Sequence, residues 1–222
     1  MERLRLIAAM IAPTALVATA MFPLGDLRLA FVFYVLGGCL LVPWLLVGAR
    51  PGGAGGLPFR AADEHAASPL VALLVFGPLF LVAYWFMRQF ITAPEPYLES
   101  LREIGWNDDH RYLYFAIFVS AVPLAEEWWW RGQALPRAER LFGEPAGRLL
   151  VALGFAAYHA PVLLRLYPVG PASIRFAGIL AAGLFWTWFA ARRRAWGWVW
   201  WAHLAADAVI VIAFILWVHP QA

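Results

Sequence analysis

YLYFAIFVSAVPLAEEWWWR, residues 112–131, is an almost unbroken apolar run that ends in two adjacent carboxylates and, four residues after the second, an arginine. About 20 apolar residues are enough for a helix to cross the hydrocarbon of a bilayer. Charges at such a depth are expensive unless the protein interior receives them. The stretch thus demands two things of the rest of the chain: lipid-facing helices beside it, and polar partners to meet Glu126, Glu127 and Arg131.

The surrounding sequence supplies the first. Further apolar runs lie at 6–24, 29–47, 69–90, 147–166, 174–191 and 196–218, so with 112–130 the chain predicts seven spans. The expected fold is an all-α integral membrane protein, a bundle of about seven transmembrane helices forming one domain over 1–222. The first run follows Arg3 and Arg5 in the manner of a signal peptide. No small-residue cleavage site precedes a soluble domain, so it is expected to be retained. Composition agrees: 63% of the 222 residues are hydrophobic, 16% aromatic and 14% charged, with a mean hydropathy of +0.68. Soluble domains carry about 25% charged residues. A soluble globule, a disordered chain and a nucleic-acid-binding protein are all excluded by that shortage of charge. Cys39 is the single cysteine, which excludes a disulfide framework and a cysteine metal site.

All 17 basic residues are arginine. Lysine-free usage beside abundant Ala, Gly and Pro is the bias of a GC-rich genome, and points to a bacterial inner (plasma) membrane. With the N-terminus inside, Arg3, Arg5, Arg50, Arg60, Arg131, Arg137, Arg140, Arg148 and Arg192 to Arg194 fall on the inner side. Arg28, Arg88, Arg102, Arg111, Arg165 and Arg175 fall on the outer side. Eleven against six predicts N-in and C-out. Inner loops are expected at 48–68, 131–146 and 192–195, with an acidic outer loop at 91–111. Trp196, Trp198, Trp200 and Trp201 read as an interfacial aromatic belt. Pro13, Pro43 and Pro78 are expected to kink or end helices. His65, His110 and His219 lie in or beside loops and receive no role.

Five polar residues remain inside predicted spans: Glu126, Glu127, His159, His203 and Asp207. An ionised residue at a helix centre costs roughly 2.5–3.5 kcal/mol, so three uncompensated carboxylates would cost roughly 8–10 kcal/mol. Spacing suggests how they are compensated. Residues i and i+4 share a helix face, which stacks Glu127 under Arg131 and His203 under Asp207. Glu126 is turned by about 100° from Glu127. One carboxylate is then a structural anion, while its neighbour is available as a general base. At 1.5 Å per residue, Glu126 lies about 21 Å, His159 about 18 Å and His203 about 10 Å along their helices. All three fall between the midplane and the cytoplasmic half of a core about 30 Å thick. Bland readings stand beside this one: an ion pair that aids assembly, satisfied packing histidines, and Asp207 as a hydrogen-bond partner between helices.

The same residues carry a resemblance. AEEWWWRGQALPRAERLFG (125–143) resembles EExxxR, the first motif of the CPBP family (CAAX protease and bacteriocin-processing), intramembrane endopeptidases related to the type II CAAX prenyl proteases. FAAYH (155–159) is similar to its second motif, FxxxH, and HLAAD (203–207) to its third, HxxxN or HxxxD. The likeness covers a core of about 106–211, and Trp128 to Trp130 are bulkier than usual there. It implies a protease in which Glu126, with His159, activates water, while His203 and Asp207 bind a metal or stabilise the oxyanion. Glu127 and Arg131 complete the motif. From the residues alone, two imidazoles and a carboxylate (His159, His203 and Glu127) are a possible zinc set with water in the open position. Metal-assisted hydrolysis is the expectation, and Glu–water–His catalysis without metal needs the same side chains. The expected partners are the lipid bilayer and a membrane-associated protein or peptide substrate. Bacterial relatives include peptide-maturing enzymes and the myxosortase subgroup, and the motifs do not choose among them. Two other classes are a non-catalytic immunity or scaffolding relative, and a small proton-coupled transporter. Three complete motifs argue against the first, and the lack of a repeat against the second.

Overall fold

The structure is a computed structural model that describes residues 1–50, 77–78, 82, 94–193 and 196–218. Among the described residues every regular element is helical. Helix α1 is Glu2–Met21; α2, Leu27–Val32, continues through a π-helical stretch at Phe33–Leu41 into α3, Val42–Val47. Helix α4 is Pro94–Glu103; α5, Arg111–Glu127, continues through a second π-helical stretch, Trp128–Ala134, into α6, Leu135–Phe142. Then come α7, Glu144–Ala157, α8, His159–Leu166, α9, Val169–Arg193, and α10, Gly197–Ala213, with a π-helical end at Phe214–Val218.

Five helical stretches are long and apolar enough to cross a membrane: Glu2–Met21, Leu27–Val47, Glu144–Leu166, Val169–Arg193 and Gly197–Leu216. They coincide with five of the seven predicted spans, and the all-α membrane bundle stands. The predicted span at 69–90 lies outside the described residues apart from 77–78 and 82. Large apolar side chains such as Ile11, Leu36, Trp44, Leu164, Trp188 and Ile210 remain exposed. In water such an apolar surface would be a liability; in lipid it is the contact surface.

Helix α1 packs at the centre. Leu6, Ala9, Val17, Ala20 and Met21 are buried along it. A Cβ on Gly38 would stand only 3.0 Å from Cα of Pro13, so the π-helical stretch after α2 can lie against α1 because that position has no side chain. Helices in lipid associate through such close backbone approach at small residues. Pro13 is accommodated within α1.

Two loop expectations are corrected. The inner loop at 131–146 is helical through Phe142, and Arg131 lies buried in the bundle instead of in a cytoplasmic loop. Glu127 neutralises it, which removes the electrostatic reason for the chain to leave the bundle there. The turn comes instead at Gly143, whose φ of 82° suits a residue without a Cβ. Gly147 then lets α7 fold back on α6, since a Cβ there would sit 2.6 Å from the Ala138 carbonyl carbon. Likewise, the outer loop at 91–111 contains α4. Leu98, Leu101 and Ile104 are buried, and Tyr97 stacks on Tyr167 with ring centres 5.4 Å apart. The apolar positions of α4 share one side and its acids the other, an amphipathic pattern hidden by the loop's overall polarity.

Ion pairs decorate both ends. Arg140 pairs with Glu2, and Arg148 bridges Glu139 (2.6 Å) and Glu144 (2.8 Å). At the other end Arg165 meets Glu103 at 3.1 Å and Arg102 meets Asp108 at 3.0 Å. Trp196 and Trp198 depart from the belt reading: both are buried, and Trp196 lies over Gly132, 3.1 Å from where a Cβ would be.

Candidate active site

Glu126 and Glu127 occupy the last turn of α5 and are 1% and 0% exposed. Their surroundings differ. Oε1 of Glu127 accepts from Arg131 Nη1 at 2.8 Å and from His203 Nδ1 at 2.8 Å. One carboxylate oxygen thus ties α5 and its π-helical continuation to α10. Arg131 is also held from α9, where Nη2 lies 3.4 Å from the Gly183 carbonyl oxygen. Its guanidinium stands 4.2 Å from the centre of the Phe155 ring and 5.7 Å from that of Trp186. Such cation–π contacts strengthen when water is excluded. Segments of π-helix recur at functional sites, and here one carries Arg131.

Glu126 is arranged otherwise. Its Oε1 accepts from the Tyr158 hydroxyl. Its Oε2 accepts no hydrogen bond from any described residue, and it stands 3.4 Å from His203 Nε2. The same Nε2 is 3.8 Å from Asp207 Oδ1. His203 therefore turns one nitrogen to Glu127 and the other to the space between Glu126 and Asp207. Trp186 flanks the imidazole with ring centres 4.5 Å apart. His203 and Asp207 are both buried.

His159 opens α8, immediately after the break that separates it from α7. Pro161 causes that break: it has no N–H to give the Ala157 carbonyl, and its ring crowds the preceding turn. His159 is only partly buried. Its Nδ1 lies 3.0 Å from the Phe155 carbonyl oxygen and donates to it, since a carbonyl only accepts. Nε2 is thereby left as the nitrogen with the lone pair. Phe155, the first residue of the second motif, packs edge-on against His159 (5.2 Å) and His203 (5.8 Å).

The predicted residues fall into two connected groups: Glu127, Arg131 and His203 as a buried ionic cluster, and Glu126, His203 Nε2 and Asp207 around a shared space. His159 joins the second group through its neighbour Tyr158. Among the described residues no three His, Cys, Asp or Glu side chains are grouped so that they could hold a metal ion. Of the expected ligands His159, His203 and Glu127, the last has its Oε1 engaged by Arg131 and by His203 itself. Sequence reasoning missed Tyr158, and with it Tyr34 and Trp130. The available signal was chemical: phenol and indole groups inside apolar spans need hydrogen-bond partners.

Residues 108–209, nearly coincident with the motif-bearing core, match the family model described as type II CAAX prenyl endopeptidase Rce1-like. This segment, just under half of the chain, is thus similar to the CAAX protease family. No curated protein and no solved structure matches it. All six predicted site residues lie within the matched segment, whereas Tyr34 lies outside it.

Proposed function

We propose that the protein is an intramembrane endopeptidase that hydrolyses a peptide bond of a membrane-associated protein or peptide. The supporting observation is the inequality of the two glutamates. Each has an Oε2 that accepts from no described residue. Oε1 of Glu127 is held by both Arg131 and His203, whereas Oε2 of Glu126 faces His203 Nε2 at 3.4 Å in the space shared with Asp207. In this reading Glu126 Oε2 takes a proton from a water molecule as its oxygen attacks the scissile carbonyl carbon. His159, through its free Nε2, orients that water. A protonated His203 would donate from both nitrogens, Nδ1–H to Glu127 and Nε2–H to the developing oxyanion, with Asp207 supporting the imidazolium. Glu126 then returns its proton to the leaving amine, and the acid and amine products separate. General acid–base catalysis of this kind contributes about 10²–10⁴-fold, and a preorganised oxyanion donor about 10²–10³-fold.

A zinc ion held by His159, His203 and Glu127 is the competing form of the same reaction. It would require Glu127 to release a nitrogen of His203 and turn towards His159. Metal analysis separates the two: the water-activation reading expects a purified protein whose cleavage survives chelation, and loss on chelation with recovery on adding zinc would favour the metal. The family description names prenyl endopeptidases, so a lipidated C-terminal segment is one substrate class, and an unlipidated sorting tail of the myxosortase kind is another. We propose a bacterial inner membrane from the lysine-free composition, and N-in with C-out from the arginine bias. Cysteine labelling at Gly53 and at Asp108 should mark opposite sides.

The deciding experiment compares membrane proteomes of cells making wild type with cells making Glu126→Gln. A membrane protein that is longer by one defined fragment with Glu126→Gln identifies the substrate. Identical proteomes would instead favour a non-catalytic relative.

A further inference from the structure

We infer that Tyr158 is a positioning residue that presents Glu126 for proton transfer, and that Tyr34 and Trp130 hold it there. The inference rests on Glu126 being the general base, as proposed above. It also gives the N-terminal helices, which lie outside the family match, a part in building the site.

A carboxylate attached by a flexible side chain can offer either oxygen, and a base is useful only when the right one faces the water. The Tyr158 hydroxyl donates to Oε1 of Glu126. That bond assigns Oε1 to a fixed partner and leaves Oε2 as the oxygen without a donor, beside His203 Nε2. Misplacing a catalytic group by about 1 Å can cost about a hundredfold in rate, so fixing the carboxylate has a clear use.

Tyr158 is itself fixed from three sides. It occupies the single residue between α7 and α8, where Pro161 breaks the helix, and it is 7% exposed. Its ring lies between two others: Tyr34 at 4.0 Å and 22°, and His159 at 3.9 Å and 33°. The stack therefore sets the plane of the His159 imidazole as well as the direction of the phenol. Tyr34 accepts a hydrogen bond at 3.2 Å from Trp130 Nε1. Trp130 is fully buried, and a Cβ on Gly154 would be 2.8 Å from its ring. Trp130 and Tyr34 each lie on a π-helical stretch, at Trp128–Ala134 and Phe33–Leu41 respectively. Trp130 of the first motif thus acts as a strut from the acidic turn to Tyr34, and Tyr34 braces the phenol that returns to Glu126.

The test does not need the substrate. Dicyclohexylcarbodiimide reacts with protonated carboxyl groups in apolar surroundings, and mass spectrometry reads each glutamate separately. In purified full-length protein, Tyr158→Phe keeps the stacked ring and removes only the donor. Its labelling rate at Glu126 should rise about five- to tenfold, the effect of losing one hydrogen bond to the carboxylate. Glu127, held by Arg131 and His203, should label as in wild type, and the melting temperature should hold. Tyr34→Phe should give a smaller rise in the same direction. Unchanged Glu126 labelling in Tyr158→Phe overturns the inference, as does an equal rise at both glutamates, which would mean general loosening of the bundle. Failure of the catalytic reading looks different: Glu126→Gln would process membrane proteins as wild type does, whatever the labelling shows.

Discussion

The first 50 residues and the matched segment 108–209 are both buried helical membrane structure, yet they are built on opposite terms. Every buried charged side chain among the described residues lies in the matched segment, Glu126, Glu127, Arg131, His203 and Asp207, together with the buried Gln133 and Thr187. The N-terminal helices bury Leu6, Ala9, Val17, Ala20, Met21 and Cys39, and reach the site through one phenol. Buried charge is tolerated only with specific partners at specific places, so it leaves a readable motif. Apolar packing is met by many sequences of about the right volume, so the scaffold half leaves almost none.

The comparison breaks first at the glutamate pair. Glu126→Gln, close to isosteric, should lower processing by at least about 10²–10⁴-fold while folded yield in detergent stays near wild type. Arg131→Ala should do the reverse to the balance: it leaves the buried Glu127 carboxylate to His203 alone, and breaking a buried ion pair in this way costs about 3–5 kcal/mol. A lowered melting temperature and poor yield are expected together with lost activity. Swapped outcomes would mean that the roles of the two glutamates are reversed.

The contact between the halves is sharpened by Gly154→Ala. The added methyl would meet the Trp130 ring at 2.8 Å, and overpacking of this kind costs about 1–3 kcal/mol. Because Trp130 braces Tyr34, processing should fall along with thermal stability, although neither Gly154 nor Trp130 is a reacting group. A stability loss without any loss of processing would disconnect the N-terminal helices from the site. The smallest effect is expected at the bundle's rim. Arg165 and Glu103 are 29% and 57% exposed, and such pairs contribute about 0.2–1 kcal/mol. Arg165→Ala should leave both the melting curve and processing close to wild type.

The boundary between legible and illegible runs along contact range. Apolar runs of membrane-crossing length dictate helices, because lipid offers no hydrogen-bond partner to the backbone. The i,i+4 spacing dictates the Glu127–Arg131 pair, because four residues of helix bring the two side chains to one face. The spacing of His203 and Asp207 is the same, but the observed separation of 3.8 Å is no hydrogen bond; the second imidazole nitrogen is shared with Glu126 across helices. Amphipathic α4 was hidden by its acids, and the helix beyond Arg131 by a charge whose partner lies inside the bundle.

What the sequence by itself determined, then, is the membrane bundle, the glutamate pair with its arginine, and the histidines and aspartate that accompany them. Only the tertiary structure decided that His203 joins Glu127, 76 residues away, that Tyr158 takes an oxygen of Glu126, and that Tyr34 reaches Trp130 across 96 residues. The physical reason is rotational. A helix in lipid is apolar on most of its circumference, so its sequence constrains little of how it turns about its own axis. That angle is chosen by close packing at Gly38, Gly147 and Gly154 against neighbouring helices, and it determines which polar groups meet.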